Sequence, residues 1–217
     1  KYNYDPRNMY EHQYANSPTQ TVEMIRNDVS LSALKGLAIH LGSLREGRKS
    51  VVVLTEGYTN YVPPQMRDMD AMAGGLYNPL RYDPLAGENN FEETTQFFEA
   101  AYMRSELMYT ADLANRNNTS FYMVDPRGLA VGEYDVSNPN IDMRTDSRVL
   151  RELQETLYLL ADETDGRAII NRNDVGPGLA LIVADQSAYY LLGYTSSESP
   201  TDGEFHEIEV RVTRDDV

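Results

Sequence analysis

Ser50-Val-Val-Val-Leu-Thr55 is the stretch that decides the fold. Its apolar residues are continuous rather than alternating, and the run is strand-sized. That pattern suggests a strand covered on both faces, as in a parallel sheet with helices above and below. On its N-terminal side Leu31, Leu34, Leu37, Leu41 and Leu44 recur every three or four residues, and Gly47 closes this helical stripe. On its C-terminal side residues 57–92 lack any period and carry Pro63, Pro64, Gly74, Gly75, Pro79, Pro84 and Gly87. Loops of this length inside a compact domain are uncommon and often functional.

The alternation continues outward. Phe97, Ala100, Met103, Leu107, Ala111 and Ala114 share one helix face, and Phe121-Tyr-Met-Val124 follows as a short strand. Asp125-Pro-Arg-Gly128 breaks it and opens a second irregular stretch, 126–145. Val149, Leu150, Leu153, Leu157 and Leu160 mark the next helix, with Asp146 or Ser147 expected as its N-cap and Gly166 as its stop. Ala168-Ile-Ile170 is a further strand. Leu179, Ile182 and Val183 suggest a helix opened by Pro177.

The chain then changes character. Tyr189-Tyr-Leu-Leu-Gly-Tyr194 reads as a strand, and Ile208, Val210 and Val212 alternate with polar neighbours. With Pro200 and Asp202-Gly203 between them, the two segments predict an antiparallel hairpin with one wet face. The fold class expected is α/β: a doubly wound, mostly parallel, Rossmann-like sheet with helices on both faces and a C-terminal hairpin. Ligands of such sheets sit beyond the carboxyl ends of the strands. The loops after Thr55 and Val124 should therefore share one rim.

Composition bounds the function classes. The net charge of -15, from 34 acidic and 19 basic residues, repels nucleic acid and anionic lipid. No apolar run approaches the roughly 20 residues of a membrane helix. Arg45, Arg48 and Lys49 form the compact basic cluster and read as a solvated helix end. The absence of cysteine excludes disulfides and thiolate chemistry. No Gly-x-Ser-x-Gly elbow, His-Glu-x-x-His or phosphate-cradling loop occurs, and His12, His40 and His206 pair with no nucleophile at motif spacing, so no enzyme is expected. Asn117-Asn-Thr-Ser120 contains glycosylation-acceptor patterns and reads as a polar turn. Residues 1–22 are polar and rich in tyrosine (Tyr2, Tyr4, Tyr10, Tyr14) and read as an arm or loop preceding a domain at 23–217, with disorder as the alternative. The opening at Lys1, with neither methionine nor an apolar signal, reads as a processed or partial chain.

Five segments, in order, carry a family resemblance. They are Gly47-Arg-Lys-Ser-Val-Val-Val-Leu-Thr-Glu-Gly57, Val124-Asp-Pro-Arg-Gly-Leu129, Thr164-Asp-Gly-Arg-Ala-Ile-Ile-Asn-Arg-Asn-Asp174, Tyr189–Tyr194 and Asp202-Gly-Glu-Phe-His-Glu-Ile-Glu-Val-Arg-Val212. Across roughly residues 30–213 the chain resembles the von Willebrand factor A-related domain abundant in Acidobacteria. The resemblance implies a doubly wound sheet, export to the periplasm, surface or exterior of a bacterium, and a protein-binding or adhesive role.

It also implies a place for a divalent metal at the carboxyl edge, supplied by an Asp-x-Ser-x-Ser loop, a Thr and an Asp. Here Thr55-Glu56-Gly57 stands where the family has Thr-Asp-Gly, and the longer Glu56 suits poorly the tight octahedron of Mg²⁺, at about 2.0–2.1 Å. Asp28-Val-Ser-Leu-Ser32 spells the first motif, but the preceding Thr21–Asn27 is too polar and short for a buried strand. By position it matches the second loop, with Ser30 or Ser32 in place of Thr, and Asp28 or Ser30 is expected to cap the following helix. The family's first strand is not visible; it lies before Lys1 or is replaced by Lys1–Val22. No metal and no other cofactor is expected, unless upstream residues complete a site for a cation such as Mg²⁺. Asp125, on the same edge, is a candidate ligand-binding carboxylate or, more simply, the start of an Asx turn.

The function expected is a non-catalytic module that binds protein through the rim loops, with Glu56, Tyr58, Asn60, Tyr61, Tyr77 and Tyr82 as contact residues. Tyrosine offers rigid contact area with a polar tip. The alternative for these tyrosines is that they pack the loop onto the domain. The alternative for the whole chain is a structural subunit of an extracellular assembly, joined by its N-terminal arm and edge strands.

Overall fold

The computed structural model describes residues 19–44, 47–63, 90–134 and 141–187, with isolated positions at 7–9, 12, 17 and 66. The expected C-terminal hairpin, Tyr77, Tyr82 and most of residues 1–18, including Tyr2, Tyr4, Tyr10 and Tyr14, lie outside these residues.

Among the described residues four helices and three strands alternate: α1 (Thr19–Leu44), β1 (Lys49–Leu54), α2 (Asn90–Arg116), β2 (Thr119–Val124), α3 (Met143–Asp162), β3 (Ala168–Ile169) and α4 (Gly176–Ser187). The strands form a parallel sheet in the order β1-β2-β3. Lys49 to Leu54 pair in register with Thr119 to Val124, and Met123 and Val124 with Ala168 and Ile169. This is an α/β arrangement of the Rossmann-like kind.

β2 holds the centre. All six of its residues are buried. Phe121 and Met123 enter the main core with Leu31, Ala38, Leu107, Leu157 and Leu160, while Tyr122 and Val124 meet Ile169 of β3 and Ile182 of α4. The strand also begins two residues before the expected Phe121, because Thr119 and Ser120 find partners: Thr119 Oγ1 donates to the Asn117 carbonyl and Ser120 Oγ accepts from Arg48 Nε.

The expectation that Val51–Thr55 is covered on both faces is corrected. Val51 and Val53 pack on the main core, but Val52 and Leu54 are 41% and 70% exposed. Among the described residues β1 is the margin of the sheet and β2 its centre. An apolar run reports strand propensity on both faces of the pleat; it does not by itself show that both faces are covered.

α1 differs from its expected stripe in extent and direction. It starts at Thr19, inside the stretch expected as an arm, and buries Val22, Glu23, Asn27, Leu31, Leu34 and Ala38. Leu37 and Leu44 are exposed. The leucines are spaced more tightly than 3.6 residues per turn, so their row walks around the helix and leaves the buried face. Gly42 continues that face instead: a Cβ there would lie 2.0 Å from Asn117 Oδ1. Asp28 and Ser30 cap nothing, because they stand mid-helix.

The remaining boundaries shift for local reasons. α3 is capped by Asp142, not Asp146 or Ser147; its carboxylate accepts from the Arg144 and Thr145 amides. In α2 the inward face is Met103, Leu107, Thr110, Ala111 and Ala114, whereas Phe97 and Ala100 are exposed. Arg48 and Lys49 do not form a solvated helix end. They flank the start of β1, where Arg48 also reaches the Asp165 carbonyl and Lys49 Nζ donates to the Asn117 carbonyl. Asn117 and Asn118 make the polar turn into β2, Asn118 with φ of 49°.

Candidate functional site

The register of β1 and β2 ends both strands at one level, so their following loops begin side by side. The Thr55 amide donates to the Val124 carbonyl at 3.1 Å, and the Asp125 amide to the Ile169 carbonyl at 3.0 Å. The expected shared rim is therefore present for Thr55–Pro63 and Asp125–Tyr134.

The first loop is laid against α3. Gly57 has φ of 106°, and a Cβ there would fall 2.3 Å from the Leu153 carbonyl oxygen, so this close approach requires glycine. The Tyr58 amide then donates to Thr156 Oγ1 at 3.0 Å. The Tyr58 ring enters the main core and its hydroxyl meets Ser30 Oγ at 3.3 Å. Burial pushes that phenol above its ordinary pKa, against the smaller opposing effect of the Ser30 and Thr55 hydrogen bonds. Asn27 Nδ2 donates to both the Thr59 carbonyl and Asn60 Oδ1, at 2.8 and 3.0 Å. Asn60 is buried.

The second loop is organised by Arg127. Asp125 is buried and makes the expected Asx turn, its Oδ1 accepting from the Arg127 amide at 3.0 Å. The same carboxylate takes the guanidinium in a fork, with Nε on Oδ1 at 2.9 Å and Nη2 on Oδ2 at 2.7 Å. Nη1 donates to Glu133, and Nη2 also donates to the Glu56 carbonyl at 2.9 Å. The Arg127 side chain is 14% exposed, and those of Asp125 and Glu133 less than that. Burial works against the charged guanidinium, but the Asp125 hydrogen bonds and the charges of Glu133, Asp125 and Glu56 outweigh it and raise its pKa. Asp146, in the first turn of α3, closes the loop by accepting from the Glu133 and Tyr134 amides at 2.6 and 3.0 Å.

Beside the first loop lies an open groove of about 590 Å³. Residues 58 to 61 form one wall, the first half of α2 another, and α3 from Arg148 to Leu159 the third. Met103, Leu107 and Leu159 give it an apolar floor, and Glu99, Arg104, Glu152 and Glu155 a charged border. Arg148 stands 4.7 Å from the centroid of the Tyr61 ring, within cation–π range. At the α2 end, Phe97 and Phe98 pack edge to face at 5.9 Å and are 70% and 66% exposed.

Of the expected contact residues, Tyr58 and Asn60 are buried and hold the loop, and both also line the groove. Tyr61 lines the groove. Glu56 is half-buried, with its carbonyl taken by Arg127. Arg127, Glu133 and Arg148 are not among the expected site residues, and Asp146, expected as a helix cap, ties the second loop instead. The Asp-Pro-Arg-Gly motif carried a signal for Arg127, since an Asx turn at Asp125 brings residue 127 back over its own acceptor.

The donors that the resemblance would supply to a divalent ion are not free to gather on one. Ser30 is engaged by the Tyr58 hydroxyl, Ser32 is exposed on α1, and Asp125 is committed to a guanidinium. Among the described residues no group of three or more histidines or carboxylates is placed to hold a metal ion, and no helix is long and apolar enough to cross a membrane. Comparison of the chain with protein-family models, curated proteins and solved structures found no match.

Proposed function

We propose that the chain is a non-catalytic binding module of the von Willebrand factor A type, working on a bacterial exterior and engaging a protein partner at the carboxyl edge of its sheet. On this reading the sheet is doubly wound and completed by the C-terminal hairpin, and the rim does without the family's metal. The observation that carries the reading is the groove: an apolar floor between Tyr61 and the faces of α2 and α3, bordered by charges of both signs, beside a fixed rim. Buried apolar anchors within a polar border are how protein partners gain affinity. Two hydroxyls of the lining, those of Thr156 and Tyr58, are engaged in structure. Thr156 Oγ1 donates to the Leu153 carbonyl and accepts the Tyr58 amide, and Tyr58 is buried on Ser30.

Selection of a displayed random-peptide library on the immobilised domain tests this. Enriched peptides should bind in solution, and Ala100→Arg, which fills the groove from an exposed helix position, should weaken them at least about tenfold, the equivalent of 1.4 kcal/mol, while leaving thermal stability within a few degrees. Failure to enrich any peptide, or enriched peptides indifferent to Ala100→Arg, contradicts the proposal.

A further inference from the structure

Beyond the last β1–β2 rung, the Thr55 amide on the Val124 carbonyl, the rim joins two loops: the one after β1 and the one that leads from β2 towards α3. What they share is one guanidinium. Arg127 binds the Asp125 carboxylate by its fork, the Glu133 carboxylate by Nη1 and the Glu56 carbonyl by Nη2. We propose that Arg127 is a built-in cation that takes the part a divalent ion would take at this edge, so that the rim is assembled without metal. The role is one of positioning, and it stands apart from whether the groove binds a partner.

The chemistry supports the substitution of one cation for the other. A divalent ion at a sheet edge gathers oxygen donors from separate loops and neutralises carboxylates withdrawn from water. Arg127 does both. It gathers carboxylate and carbonyl oxygens from residues 56, 125 and 133, and its planar, permanently charged fork matches the Asp125 carboxylate in a way a lysine would not. The buried carboxylates of Asp125 and Glu133 need that neutralisation, because an uncompensated charge in such a place is strongly destabilising. Two consequences separate this role from ordinary packing. The native chain should be indifferent to divalent ions at the rim. A chain lacking the guanidinium should become responsive to them, because it then presents two carboxylates and a carbonyl to Ca²⁺, a cation tolerant of irregular oxygen coordination.

The test is thermal unfolding of the full chain, with chelator and with millimolar Ca²⁺, for the native sequence, Arg127→Ala, and the double variant Asp125→Asn/Arg127→Met. The native Tm should not move between the two conditions. Arg127→Ala should lose about 10 °C and recover several degrees in Ca²⁺. The double variant should be more stable than Arg127→Ala in chelator and less responsive to Ca²⁺, since one of the two carboxylates that needed compensation has gone. A native Tm that depends on chelator overturns the proposal, and so does an Arg127→Ala chain that Ca²⁺ leaves unchanged. Where Arg127→Ala fails to fold, the double variant decides: recovery of folding upholds charge compensation, and continued failure refutes it.

Discussion

The two sides of the rim use the same residue types for opposite ends. On one side Arg127 lies buried among Asp125, Glu133 and the Glu56 carbonyl, and its donors are spent within the domain. On the other, Arg148 stands over the Tyr61 ring at the mouth of a groove, 44% exposed and within 3.9 Å of an equally exposed Glu152. A buried, forked arginine fixes chain segments, whereas an exposed one contributes little stability and remains at the surface. α3 serves both sides from its first turns, with Asp146 tied to the clasped loop and Arg148 two residues later turned to the groove. The first loop of the rim serves both ends at once: Tyr58 to Tyr61 line the groove, with Tyr58 and Asn60 buried and Tyr61 half-buried.

If this division is correct, substitutions on the two sides should separate stability from binding. The largest effect is expected at Gly57, where the loop turns against α3. Gly57→Ala combines a left-handed backbone with a clash on the Leu153 carbonyl, and should cost about 3 kcal/mol in urea unfolding. A variant with an unaltered midpoint would break the account of the loop. Asp146→Ala strands the Glu133 and Tyr134 amides and should cost about 1–2 kcal/mol without changing the affinity of groove-selected peptides. A parallel loss of affinity would show that the two sides are not separate.

Asp142 tests the foundation that both sides share. Its cap should be worth about 1 kcal/mol, read as the loss in Asp142→Ala. The hydrogen bonds from Thr145, opposed by slight burial, depress its pKa below the usual carboxylate value. A depressed folded pKa contributes stability that is present above the unfolded pKa and lost as pH falls through the folded one. The native chain should therefore lose this contribution on acidification below about pH 4, and the alanine variant should show a shallower decline over that window. Identical acid limbs would remove Asp142 from the account. The smallest stability effect belongs to Tyr61→Ala, which gives up a partly exposed ring and its arginine, less than about 1 kcal/mol, yet should weaken peptide binding. A large stability loss would place Tyr61 with Tyr58 in the core.

Much of the architecture was legible because hydrophobic period is a local property. The alternation of helices and strands, the parallel pairing and the common rim followed from runs such as Val51–Leu54 and the row Val149, Leu150, Leu153, Leu157 and Leu160. What escaped depended on which neighbour arrived. Val52 and Leu54 have strand-forming side chains whether or not anything covers them, so β1 and β2 looked alike although β2 alone is buried throughout. The leucine row of α1 leaves its buried face, which Gly42 continues because the close approach of Asn117 selects glycine there. At the rim, tyrosines drew attention as contact residues, while Arg127 passed as part of a turn. Its partners Glu56 and Glu133 lie 71 and 6 residues away, and only the register of β1 on β2 brings the first of them near.

Amide hydrogen exchange along Thr55–Val62 and Gly128–Tyr134, in the native chain and in Arg127→Met, tests most directly whether Arg127 ties the two rim loops together. The account predicts that both segments are protected in the native chain and that both lose protection together in the variant, while β2 stays protected. Loss confined to Gly128–Tyr134, with Thr55–Val62 as protected as before, would contradict it.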